Sequence, residues 1–132
     1  MIGLDTNVVV RYLVQDDPDQ AAAASALIDE LTDTNPGYLS LVTVVELYWV
    51  LRRAYRIGTE RCAELLEGLL DARELRVDRA AMVRAALTLS HGGVDFADAV
   101  IVEVGRAAGC DHTVTFDQRA ARDGTMRLLA LR

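Results

Sequence analysis

Met1-Ile2-Gly3-Leu4-Asp5-Thr6-Asn7-Val8-Val9-Val10 is the stretch on which the fold turns. A short apolar run stops at a carboxylate, and a second apolar run resumes two polar residues later. Residues 2–5 read as a buried strand and residues 6–14 as a helix, which sets Asp5 at the C-terminal tip of a first strand. Open α/β sheets bind their ligands at such tips. Asp is also a favoured helix N-cap, and for Asp5 taken alone the cap is the favoured reading.

Working outward, short apolar runs alternate with longer helical ones, the pattern of an α/β domain with a parallel sheet. Pro18 suits the first turn of a second helix reaching about Thr32, with Asp17 as its cap. Asn35-Pro36-Gly37 is a turn, and Tyr38-Leu39-Ser40 a second strand. From Leu41 to Tyr55 the chain is almost continuously apolar, which predicts a helix buried on most of its surface. A helix from Gly58-Thr59 to about Ala72 leads to a third strand over residues 74–77. Residues 79–90 form a helix stopped by His91-Gly92-Gly93, and Asp95 opens another that Gly109 closes. Strands over residues 112–115 and 126–131 complete a sheet of about five short strands.

The 132 residues, 52% hydrophobic, suit one domain spanning 1–132 with a proper core. A net charge of −6 speaks against phosphate contacts, yet carboxylates gathered around a cation are neutralised in use. All 14 basic residues are arginine. Without lysine, Schiff-base chemistry, a P-loop lysine and the lysine of phospho-aspartyl enzymes are excluded. Cys62 and Cys110 lie far apart, in no zinc or disulfide pattern, and are expected as reduced thiols of a cytoplasmic protein. Arg11, Asp16 and Asp17 interrupt any signal peptide, and no apolar stretch is long enough to span a membrane.

Further acidic positions follow predicted strands or open helices. Asp117, in Thr115-Phe116-Asp117-Gln118, has the same cap reading as Asp5. Asp95 and Asp98 are spaced as a cap and its partner at the third helical position, on the side that the helix dipole makes favourable for anions. Glu46 is the hardest to dismiss. Its neighbours Val44, Val45, Leu47 and Tyr48 predict burial, and a buried carboxylate without a partner is costly. A capping box with Thr43 would satisfy it; a helix starting at Ser40 would leave it needing another partner, such as a cation. Asp5, Glu46, Asp98 and Asp117 together, with no His or Cys among them, suit Mg²⁺ or Mn²⁺ and not zinc. Such a site polarises a phosphodiester and activates water.

Leu4-Asp5-Thr6-Asn7, Val44-Val45-Glu46-Leu47, Asp95-Phe96-Ala97-Asp98-Ala99 and Thr115-Phe116-Asp117 resemble the acidic motifs of PIN domains. The order and length of the elements are similar to VapC-type ribonuclease toxins of toxin–antitoxin pairs, across essentially the whole chain. The resemblance implies a three-layer α/β/α PIN-like fold and a metal-binding acidic cluster of Asp5, Glu46, Asp98 and Asp117. Asp5 and Asp98 are the principal ligands in that picture, and Asp95 is an auxiliary ligand, an outer support or a cap. Thr6, Asn7 and Thr115 orient the carboxylates. The resemblance further implies cleavage of RNA by metal-activated water, with no covalent enzyme intermediate.

The implied partners are an RNA substrate, a second copy in a homodimer, and an antitoxin. The antitoxin's C-terminal segment is expected in a groove between helices, with an Arg or Lys near Asp5 and Asp98. Arg52, Arg53 and Arg56, and Arg119 with Arg122 beside Asp117, read either as an RNA track or as solvated helix faces. Trp49, Tyr48 and Tyr55 suggest core or an oligomer interface. The alternative from a different class is a PIN-like module that binds RNA or protein without catalysis.

Overall fold

A computed structural model describes residues 1–132. The elements run β1 (Ile2–Gly3), α1 (Thr6–Val14), α2 (Pro18–Glu30), β2 (Gly37–Leu39), α3 (Leu41–Arg53), α4 (Thr59–Asp71) and β3 (Leu75–Val77). They continue with α5 (Ala80–His91), α6 (Phe96–Ala107), β4 (Val114–Thr115), α7 (Gln118–Arg122) and β5 (Arg127–Leu128). The alternation of strand and helix is that of an α/β fold. Two compact units divide the chain, Met1–Ala80 and Ala81–Arg132.

In the N-terminal unit, β1, β2 and β3 form a parallel sheet in that order, with Ile2 opposite Gly37 and Gly37 opposite Leu75. Parallel neighbours need helical crossovers, which α1–α2 and α3–α4 supply. Gly37 occupies the middle strand at a point where leucine side chains close in. A Cβ there would come within 2.9 Å of the side-chain ends of Leu4 and Leu31. Local chemistry sets the helix ends. Asp17 accepts from the Gln20 N–H at 3.0 Å with Pro18 in the first turn of α2, and Gln15 stops α1 in the left-handed region at φ 61°. Helix α1 packs on α2 and α3, and α3 on α4, burying Val9, Val10, Leu47, Leu51 and Leu66.

In the C-terminal unit, β4 and β5 pair in parallel across the short crossover α7, with Val114 opposite Arg127 and Thr115 opposite Leu128. Val83, Leu87, Phe96 and Ala99 are fully or almost fully buried, and Val102, Ala120 and Met126 form a core cluster.

Two expectations need correction. The five strands make a three-stranded sheet and a two-stranded one, where a central sheet of about five was expected. Strands of two or three residues offer few ladder bonds, so a pattern of apolar runs fixes their existence better than their pairing. Helix α3 is not buried on most of its surface. Val44, Leu47, Tyr48 and Leu51 form one buried stripe at helical spacing, while Val42 and Trp49 are 75% and 59% exposed. Helical periodicity, not apolar content, decides which residues go inside. No helix is long and apolar enough to cross a membrane.

Candidate functional site

Strand β1 delivers its last residues to the start of α1, where Asp5 caps the helix and accepts from the Thr6 N–H at 2.8 Å. Thr6 is buried, and Asp5 and Asn7 are exposed. Strand β2 does the same for α3, but the cap is Ser40, whose Oγ accepts from the Thr43 N–H at 3.1 Å. The capping box between Thr43 and Glu46 is therefore ruled out, and Glu46 lies nearly two turns into the helix. Its predicted burial is also overturned. Glu46 points away from the buried stripe of α3 and is exposed. That face lines a cleft of about 260 Å³ shared with Asp5, Thr6 and Asn7. Sequence reasoning thus paired Asp5 with Glu46, for a reason the structure replaces. Glu46 is uncapped and solvent-facing, not uncapped and buried.

The same cleft holds residues that the sequence reading did not pick out as functional. Arg11 and Tyr55 stand in its wall. The Tyr55 hydroxyl receives a hydrogen bond from Arg11 Nη1 at 2.7 Å and donates to Asp16 Oδ2 at 2.7 Å. Arg11 Nη1 also donates to Asp16 Oδ1 at 3.1 Å, and its Nε donates to Gln20 Oε1 at 2.7 Å. The hydroxyl of Tyr55, with help from the Arg11 charge, holds the Asp16 carboxyl below the usual range. The partners are up to 44 residues apart in the chain, so no local motif announces them.

In the C-terminal unit, Asp95 caps α6 by accepting from the Asp98 N–H at 3.1 Å. Asp117 caps α7 by accepting from the Arg119 N–H at 2.8 Å, while its own N–H donates to Thr115 Oγ1 at 3.0 Å. Asp95, Asp98 and Asp117 line one cleft of about 390 Å³ together with Arg119, Arg122 and Asp123. Asp98 is the half-buried member. Burial first, then the charges of Asp95, Asp117 and Asp123, push its carboxyl above the usual range. This is the behaviour of crowded like charges. Asp123 is the acid missed from sequence. It ends α7 and accepts from the Thr125 N–H at 2.9 Å, and bonds from Thr125 hold its carboxyl below the usual range. The Asp123-Gly124 turn was the available signal.

The arginines divide. Arg119 and Arg122 line the C-terminal cleft. Arg52 donates from Nη1 to the Ile57 carbonyl at 3.0 Å, and Arg56 sits in the left-handed region at φ 55° just past α3. Arg52, Arg53 and Arg56 are exposed and lie outside the Asp5–Glu46 cleft. Of the aromatics, Tyr48 is core, Trp49 is exposed and Tyr55 serves the cleft. Cys62 is buried and Cys110 exposed, and both are free thiols.

Each unit thus gathers carboxylate oxygens without imidazole or thiolate, a donor set that suits a hard divalent cation. In neither unit do three or more acidic, histidine or cysteine side chains already stand at metal-ligating distance. Among curated proteins none matches the sequence. A family model described as the PIN domain matches residues 2–124, running through both units and through every acidic motif. The chain therefore belongs to the PIN domain family, whose members are generally nucleases that use divalent metals.

Proposed function

We propose that residues 1–132 are a single PIN domain that acts as a Mg²⁺-dependent endoribonuclease, the toxin of a VapC-type toxin–antitoxin pair in the cytoplasm. The observation that carries this reading is the crowding of Asp98. A half-buried carboxyl beside Asp95, Asp117 and Asp123 is electrostatically unfavourable by itself, and a cation relieves that repulsion. Asp5, Glu46, Asp98 and Asp117 are the proposed ligands, with Asp95 assisting and Mn²⁺ able to substitute. When bound, the cation supplies polarisation of the RNA phosphodiester and activation of water.

The chain's own residues do the positioning. Asp5, Asp95 and Asp117 each accept a backbone N–H through Oδ1, which fixes the carboxylate and leaves Oδ2 for a ligand. Thr115 holds the Asp117 backbone through its hydroxyl. Arg119 and Arg122 offset part of the negative charge that an RNA backbone would meet in the C-terminal cleft.

Purified Asp98→Asn protein should keep its circular dichroism spectrum and lose Mg²⁺-dependent cleavage of total RNA. Unchanged cleavage in that variant would sink the assignment. The second reading is a PIN-like module that binds RNA or protein without catalysis. Calorimetry with Mn²⁺ separates the two, since absence of binding at neutral pH favours the module. The proposed partners are RNA, a second copy of the chain, and an antitoxin that brings an Arg or Lys to Asp5 and Asp98. If the toxin–antitoxin complex cleaves RNA at the free enzyme's rate, that mode of inhibition is wrong.

A further inference from the structure

Arg11 is the one basic residue in the lining of the Asp5–Glu46 cleft. Its side chain is 27% exposed, reachable from solvent yet held on several sides. Gln20 takes its Nε, and Asp16 and Tyr55 take Nη1. None of these bonds uses its other terminal nitrogen, Nη2. Holding a long side chain rigid costs conformational entropy, and a guanidinium already fixed pays that cost before a ligand arrives. A planar guanidinium with free N–H donors matches a phosphate oxygen in both charge and direction.

Resting on the ribonuclease reading above, we propose that Arg11 is a substrate-binding residue that grips an RNA phosphate in the Asp5–Glu46 cleft, with Tyr55 and Asp16 as positioning residues for its guanidinium. The competing role is purely structural, a staple joining the ends of α1 and α3 to the start of α2. A staple and a phosphate contact differ in one measurable respect. Each phosphate contact releases counterions and contributes a slope of about 0.7 to the fall of log K with log salt for single strands.

The test uses a fluorescein-labelled single-stranded RNA oligonucleotide, with binding followed by anisotropy across a salt series. The non-cleaving Asp98→Asn protein serves as the parent. Adding Arg11→Ala should weaken binding roughly tenfold, the usual size for a charge-assisted hydrogen bond, and should lower the salt slope by about 0.7. Arg11→Lys keeps the charge but loses the fork. It should keep the slope and bind several-fold more weakly than the parent. Tyr55→Phe should weaken binding less than Arg11→Ala, again with the slope retained. An unchanged slope and affinity in Arg11→Ala, whatever happens to its melting temperature, would reduce Arg11 to a staple and overturn the proposal. Loss of RNA binding in the parent, joined to absence of cleavage by the wild type, would instead overturn the ribonuclease reading itself.

Discussion

In the N-terminal unit, Asp5 and Glu46 share a cleft with an arginine tied down by side chains from Asp16, Gln20 and Tyr55. In the C-terminal unit, by contrast, Asp95, Asp117 and Asp123 are each tied to a backbone N–H, and the arginines beside them are exposed. One cleft has an ordered cation in its wall; the other concentrates carboxylates around the half-buried Asp98. The caps at Asp5, Asp95 and Asp117 each use Oδ1, so capping does not by itself preclude the proposed ligation. A cap engages one carboxylate oxygen and orients the other, as a support around a metal ligand does. Glu46 and Asp98 cap no helix; Glu46 is solvent-facing, and only Asp98 is half-buried among other acids.

The largest test of the contrast is cleavage activity. Asp98→Asn is expected to lower Mg²⁺-dependent RNA cleavage roughly 1,000-fold, because charge stabilisation by a metal is worth several kcal/mol. Asp123→Asn, at the end of α7, should cost about tenfold or less on the scale of outer support to a metal site. Equal losses in a cleavage-rate assay would erase the distinction between the half-buried acid and its neighbours. Next comes the separation of cap from ligand at Asp117. Asn caps as well as Asp does, whereas Ala loses about 1 kcal/mol. Asp117→Asn should therefore retain the unfolding midpoint in urea but lose cleavage, while Asp117→Ala loses both. A full-activity Asp117→Asn protein would mark this residue as a cap alone.

The smallest expected effect is thermal and depends on pH. The Asp98 carboxyl is raised in the folded chain, so folding favours its protonated form, and the penalty sets in as the pH rises above the unfolded value and is complete above the folded one. Removing that charge with Asp98→Asn should raise the melting temperature of metal-free protein at pH 7. The gain should shrink as the pH falls through the folded pKa and vanish below the unfolded value. Calorimetric scans at pH 7 and near pH 3 check both arms. Saturating Mn²⁺ should stabilise the wild type more than the variant, reversing their order.

Much of this was legible in the chain. Asp17-Pro18 announced the start of α2, and the strands were found near their true places, because caps and prolines act through their nearest neighbours. Strand ends were overrun, as at residues 126–131 against the observed Arg127–Leu128, since apolar residues continue past the last ladder bond. The exposed Glu46 was misjudged because apolar neighbours were counted without regard to helical phase. Arg11 with Tyr55, and Asp98 with Asp123, were out of reach for another reason. Their meeting is a tertiary fact; the strand-tip and helix-start positions of the acids, and then the PIN resemblance, put Asp5, Glu46, Asp98 and Asp117 on one list but named neither Arg11 with Tyr55 nor Asp123.

The exposed indole of Trp49 gives the molecule a built-in optical reporter. It is the sole tryptophan, it stands in water on α3, and it lies three residues beyond Glu46, close to one turn along the helix. Its fluorescence in the free chain should have the red-shifted emission of a hydrated indole. A second copy or an antitoxin laid over this part of α3 would shift that emission to the blue, and binding elsewhere would leave it unmoved. The protein can thus report, without a label, whether a partner covers the helix that carries Glu46.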